Sequence, residues 1–231
     1  MLPSKINRPS PGVRKGQNSP WFERDPALLE DVQRALREPE YKWLHLHRDQ
    51  GTARIRGTIP VPEDRYSIEI LFLNDYPLTL PQVRETGGRI PYTSDRHVNP
   101  KDGTACLCIP DEWLTQRPDE SFLTFLRGPL YNYFLSQKTF ETLGEWPLGE
   151  RRHGNGGLLD FYQECLGTNN PHVIKQYLLC FSQDTVKGHW DCPCGSGNRI
   201  RNCHHERIAD LRKKLPRHIA SNALKYLSSV S

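Results

Sequence analysis

Two sets of residues in this chain are able to do chemistry. The first centres on Cys106, in the run His97-Val98-Asn99-Pro100-Lys101-Asp102-Gly103-Thr104-Ala105-Cys106-Leu107. A thiol that exchanges acyl groups must be accessible and partly ionised. A polar, glycine-bearing loop with Lys101 nearby predicts access. Attack of an amine on a thioester develops an oxyanion that wants a hydrogen-bond donor, and the Asn99 amide is a neutral donor within loop reach. The competing reading makes Cys106 a structural cysteine, since free cysteines pack well in cores. Gly103 and the loop context argue against that burial.

The second set is Cys192-Pro193-Cys194-Gly195-Ser196-Gly197 followed by Cys203-His204. Three thiols and one imidazole satisfy Zn2+ in a closed, tetrahedral, structural site. Cys192, Cys194, Cys203 and His204 are the expected ligands, with His205 as the rival fourth. Glycines between them let backbone N–H groups approach the sulfurs. A closed ligand set leaves the metal no open position for catalysis. The run resembles the SEC-C motif, best known from the tail of the SecA translocase, and the match covers Cys192 to His204 without gaps. A region this small has little core, so metal binding is expected to supply much of its folding energy.

The elements that must position these residues follow from pattern. Residues 1–24, rich in Pro, Ser, Asn and Lys, read as a flexible basic arm. Asp25-Pro26 supplies an N-cap and a first-turn proline, and Leu28, Leu29, Val32 and Leu36 continue at helical spacing to about Arg37. Alternation over Trp43–His47, Ala53–Ile59 and Tyr66–Phe72, with turns at Asp49-Gln50-Gly51 and Val61-Pro62-Glu63-Asp64, predicts an antiparallel meander. The stretch from Leu73 to Asp111 reads mainly as loop. Helices are predicted around Phe122–Phe134, around Leu158–Cys165, over His172–Phe181, and over Ile208–Leu227 with a break at Pro216.

Composition bounds the setting. The chain has 231 residues and a net charge of +4. Residues 1–24 carry five basic side chains and one acid, and residues 186–231 carry nine and three, so an acidic middle lies between basic ends. Such ends meet nucleic acid or an acidic protein face, or simply keep a surface solvated. No aromatic stacking array accompanies them, which argues against nucleic acid. Seven cysteines, an odd number, favour metal and reactive thiols over a disulfide framework. A reducing cytoplasm is therefore the expected location. No apolar run approaches the roughly 18 to 20 residues of a membrane span, and Met1-Leu2-Pro3-Ser4-Lys5 lacks the apolar stretch of a secretory signal.

The order of N-terminal helix, meander, Asp75-Tyr76-Pro77 turn, His97-x-Asn99, Gly103-x-x-Cys106-Leu107 and Trp113 resembles the ubiquitin-conjugating enzymes over about residues 25–134. The resemblance implies an α+β, UBC-like fold over 25–183, with the zinc module over 186–231 separable from it. It implies that Cys106 forms a thioester with a protein C-terminus and passes the acyl group to a lysine amine. In the family the asparagine matching Asn99 either stabilises the oxyanion or holds the loop, and the histidine matching His97 is structural, with proton transfer as its lesser role. The chain departs from the family by reading His97-Val98-Asn99 for His-Pro-Asn, by an Asn-to-Cys spacing one residue shorter, and by Cys108 at a position that is often acidic. Cys108 is then a small core residue or a second thiol, and Asp111 and Glu112 stand in for the missing acid. The stretch Gly144–Gly154 resembles bacterial homologues found in antiphage operons, with His153 within reach of the thiol or, alternatively, Trp146 packing a surface loop on the core. The implied partner is a protein modifier or target with a reactive C-terminus, such as a cGAS-like nucleotidyltransferase. No Gly-rich nucleotide motif appears, so a separate activating enzyme is expected, or direct attack on the partner's C-terminus. The alternatives are an inactive adaptor of the same fold and a nucleic-acid-binding zinc protein.

Overall fold

In the computed structural model, residues 19–147 and 154–228 are described. Helix α1 (Trp21–Arg24) opens the described chain and buries Trp21 and Phe22. The arm expected over 1–24 therefore does not extend through these residues: Trp21 lies 5.0 Å from the rings of both Phe72 and Tyr76. Helix α2 (Pro26–Leu36) starts as its sequence requires, with the Asp25 side chain accepting the Leu28 N–H and Pro26 in the first turn. Its buried residues are Val32 and Ala35.

Strands β1 (Leu44–Asp49), β2 (Thr52–Val61), β3 (Asp64–Phe72) and β4 (Gln82–Glu85) form one antiparallel sheet in the order β1-β2-β3-β4. Positive φ at both Gln50 and Gly51 makes the first hairpin a two-residue turn matched to strand twist. Pro62 followed by Glu63 at φ 61° makes the second a type II turn. The register pairs Ile55 with Ile70 and Ile59 with Tyr66, so the period-2 apolar set of both strands reaches the same buried face. Gly57 is obligatory, because a Cβ there would stand 1.8 Å from the Trp43 carbonyl oxygen.

Strand β4 lies inside the stretch expected to be loop. Its two inward positions are Val83 and Glu85, and a carboxylate at a core position erases the alternation that identifies strands. Glu85 is 5 % exposed. Its two oxygens accept the N–H groups of Gly87, Arg89 and Ile90, so the carboxylate folds the turn that follows it.

Beyond the sheet come α3 (Pro110–Gln116), α4 (Phe122–Phe125), a π-turn over Leu126–Leu130, and α5 (Tyr131–Leu143). Helix α3 also falls partly within the expected loop. At Gly128 a Cβ would meet the Trp113 ring at 2.7 Å, so the glycine seats Trp113 and with it α3. The first apolar core joins α1, α2, the sheet and the helices through Phe134.

Helices α6 (Asn155–Leu166), α7 (Pro171–Phe181), α8 (His205–Lys214) and α9 (Arg217–Ser228) follow. They share a second core that includes Phe161, Tyr162, Leu178, Phe181, Ile200, Ile208, Leu211 and Ile219. The boundary placed at 183–186 passes through this core. Ile109 and Leu114, from the region of the thiol, pack against it. The architecture is thus mixed helix and antiparallel sheet, α+β, with two cores. Among the described residues no helix is long and apolar enough to cross a membrane.

Candidate functional site

Two short backbone runs build the loop that carries the thiol. Val98 and Ala105 form an antiparallel bridge, Asn99 N–H donates to Thr104 O at 2.8 Å, and Cys106 N–H donates to His97 O at 2.8 Å. Val98 is buried, whereas Cys106 is exposed. The turn between the runs holds Gly103 at φ 72°, where a Cβ would collide with the Tyr92 ring at 2.4 Å. Asn99 Oδ1 accepts the Lys101 N–H at 3.1 Å, so this side chain holds the turn.

The loop is anchored at Arg96. Its carbonyl accepts from Gln137 Nε2 at 2.6 Å and Tyr133 OH at 3.3 Å, and its guanidinium returns to Gln137 Oε1 at 2.9 Å. Gln137 is fully buried, and the closed network satisfies it. His97 follows in the left-handed region, φ 49°. Its ring meets Trp146 edge-on at 4.4 Å, and Trp146 Nε1 donates to Asp95 O at 3.1 Å. Trp146 packs on this loop, the plainer of the two readings of its segment. His153 lies outside the described residues.

Cys106 opens on a cavity of about 650 Å³. One wall comes from the thiol loop and α3, including His97, Leu107, Cys108, Ile109, Asp111 and Glu112; the other comes from Gly154, Leu158, Asn222, Ala223 and Tyr226. The structure therefore brings His97 and Cys106 to one cavity and leaves Asn99 outside its lining. The α6 and α9 residues had no sequence signal, because they meet the thiol only through the tertiary fold, more than forty positions along the chain.

Electrostatics do not favour a resting thiolate. Burial by the surrounding walls and then the Asp102 carboxylate push the Cys106 thiol up. Burial, with Glu112 adding to it, pushes Cys108 up to about 12, which suits a packed residue better than a reactive one. Burial also raises the Asp111 carboxyl, against the hydrogen bond donated by Tyr162 OH at 2.7 Å.

In the second site, the ligand atoms of Cys192, Cys194, Cys203 and His204 all lie within 4.8 Å of one another. Cys192 Sγ and Cys203 Sγ stand 3.3 and 3.2 Å from His204 Nδ1, and Cys194 Sγ stands 3.7 Å from Cys203 Sγ. Zn–S bonds of about 2.3 Å in a tetrahedron imply sulfur separations of roughly 3.8 Å. The cluster can therefore hold a metal ion, and its donor chemistry is that of zinc. Positive φ at Gly195 and Gly197 folds the loop that returns the chain from Cys194 to Asn198, whose carbonyl accepts the Cys192 N–H at 2.8 Å. His205 begins α8, exposed and outside the cluster.

Several basic residues of the tail have internal partners. Arg207 donates to the α6 carbonyl of Leu166 at 2.6 Å, and Arg212 donates to the carbonyls of Gln183 and Asp184 at 3.0 and 3.1 Å. Arg199 pairs with Asp191, and Lys213 with Asp210. These contacts explain part of the basic excess as fastening of the C-terminal helices. Compared with known proteins, the chain matches no family model, no curated protein and no solved structure.

Proposed function

We propose that the chain is a ubiquitin-conjugating-enzyme-like acyltransferase with Cys106 as the thioester-forming nucleophile. The observation that carries this reading is an exposed thiol at a cavity that also holds His97 and the Asp111 carboxylate. The order of α2, the four-stranded meander and the cysteine loop adds support, since it is the order that the sequence resemblance implies. In the first step the Cys106 sulfur attacks the carbonyl of an activated protein C-terminus, the activating group leaves, and the thiol proton passes to solvent or to a neighbouring base. An acceptor amine then takes the acyl group. The proposed zinc, held by Cys192, Cys194, Cys203 and His204, supports the C-terminal helices and takes no part in the chemistry. The antiphage setting and the nucleotidyltransferase partner belong to this proposal and rest on the Gly144–Gly154 resemblance.

The test is incubation with a glycine-terminated peptide thioester, followed by intact-protein mass measurement. The expected result is a single adduct, removed by hydroxylamine, present in Cys108→Ala and absent in Cys106→Ala. An adduct that persists in Cys106→Ala would overturn the assignment. A second reading, a binding adaptor of the same fold, is favoured by one observation, the upward-shifted Cys106 thiol. It is the conclusion if the parent protein forms no adduct even at alkaline pH.

A further inference from the structure

The sulfurs of the Cys/His cluster are not equally placed. Cys192 is 4 % exposed and belongs to the second apolar core, and Pro193 beside it is buried. Cys194 and Cys203 are half-buried, and the chain between them is exposed at residues 195–199 and 201–202. Their sulfurs stand 3.7 Å apart, and the exposed Ser196 hydroxyl lies 3.3 Å from the Cys203 sulfur. A disulfide holds its sulfurs about 2 Å apart, so a shift of under about 2 Å closes this pair. The cluster therefore has one inner sulfur, held in the core, and an outer pair near solvent.

The thiols outside the cluster offer a contrast. Burial pushes up those of Cys106, Cys108, Cys165 and Cys180. A peroxide attacks the thiolate form, and a cysteine that ligates a metal ion is deprotonated. We propose that Cys194 and Cys203 form a peroxide-sensitive pair, whose oxidation to a disulfide withdraws two ligands from the metal and releases it. The inference rests on the zinc reading of the cluster and adds a modification site to it. Cys192 and His204, which remain, are half of a tetrahedral set. His204 directly precedes α8, and Cys194 and Cys203 pack against the second core. Loss of the metal therefore loosens the helices that supply Leu158 and Ala223 to the Cys106 cavity.

In the first step one sulfur of the pair attacks an oxygen of hydrogen peroxide. An S–O bond forms, the O–O bond breaks, and hydroxide leaves and takes a proton to become water. The sulfur is now a sulfenic acid, oxidised by two electrons, and the peroxide is the species reduced. The second sulfur then attacks the first. An S–S bond forms, the S–O bond breaks, and a second hydroxide leaves and is protonated. In sum, two thiols and one peroxide give one disulfide and two waters. A dithiol reductant reverses the bridge by thiol–disulfide exchange.

The experiment treats the full-length protein, its zinc content measured beforehand, with hydrogen peroxide at neutral pH. A chromogenic chelator follows zinc, and the products are read by intact mass and by a non-reducing peptide map. The expected result is release of the bound zinc, loss of two hydrogens, and a linked peptide joining Cys194 to Cys203. A dithiol reductant with added zinc is expected to restore the metal. Cys106→Ala is expected to release zinc as the parent does. Cys194→His, which keeps a fourth donor but removes the pair, is expected to hold its zinc through the same treatment. The oxidised parent is expected to melt at a lower temperature than the zinc-loaded one, and an unchanged melt would overturn the link to the second core. Zinc that stays bound while Cys106 is oxidised, a bridge that includes Cys192, or oxidation to a sulfinic acid without a bridge would each overturn the pair. A parent that takes up no zinc would instead overturn the zinc reading, while the peptide map still decides the pair.

Discussion

Cys106 has Asp102 as its charged neighbour and apolar walls around it, whereas Cys192, Cys194 and Cys203 have one another and His204. The side chain is the same, and its surroundings decide its behaviour. Burial and the Asp102 carboxylate hold the Cys106 thiol up, so it gains from activation as substrate arrives. Three thiols and an imidazole at this spacing can take up a metal ion as thiolates and a neutral imidazole, the thiol protons going to solvent. The two sites also differ in reach. The cluster is contiguous in sequence, from Cys192 to His204, while the thiol's cavity draws on residues from Leu80 to Tyr226.

The sharpest way to break this contrast is Cys192→Ser. Loss of one ligand should release the proposed zinc and remove a stabilisation of about 10 kcal/mol from the region it would organise. The second core is expected to loosen while the meander stays folded, giving a partial loss of far-UV ellipticity together with loss of bound zinc. The far wall of the cavity goes with it. Cys106 then becomes better solvated, its thiol falls towards the ordinary range, and its alkylation at pH 7.5 should speed up. An unchanged alkylation rate in the metal-free variant would mean that the two cysteine sites are independent.

A smaller effect is expected at Asn99. Its side chain caps the turn through Lys101 N–H and does not line the cavity. Asn99→Ala should cost about 1 kcal/mol of stability and slow discharge by less than about tenfold, and Asn99→Asp, which keeps the accepting oxygen, should recover both. A hundredfold loss that Asp does not rescue would give the amide a donor's role at the oxyanion. The smallest effect belongs to Asp102→Asn. Asp102 raises the Cys106 thiol, so removing its charge lowers that thiol's pKa and moves the alkylation profile to lower pH. An increase of about two- to threefold at pH 7.5 is expected. Asn retains an oxygen to accept from Thr104, so the loop should stay intact.

What the sequence revealed, and what it concealed, divides along physical lines. Tyr66, Ile68, Ile70 and Phe72 alternate because one sheet face is buried, and the meander was legible from that alone. The metal cluster was legible because its ligands are neighbours in the chain. Strand β4 was not, since Glu85 occupies a core position and breaks the apolar period. Helix α3 was not, because it has seven residues and none of them is fully buried. Helix α1 was concealed by its polar surroundings, although Trp21 and Phe22 anchor the first core. The cavity wall was the least legible feature. Nothing local distinguishes Ala223 and Tyr226 from other residues of an amphipathic helix, and their meeting with Cys106 is a property of tertiary packing.

The buried Glu85 also constrains how this chain can drift. Both of its oxygens are committed to N–H groups of the turn after β4. Glutamine, its nearest neutral look-alike, keeps one oxygen but turns an NH2 group towards amides that already donate, so even an isosteric change leaves buried donors opposed. Residues 86–89 around that corner are exposed. Variation among descendants of this sequence is therefore expected to gather in the side chains at the rim of the turn, while position 85 stays the same.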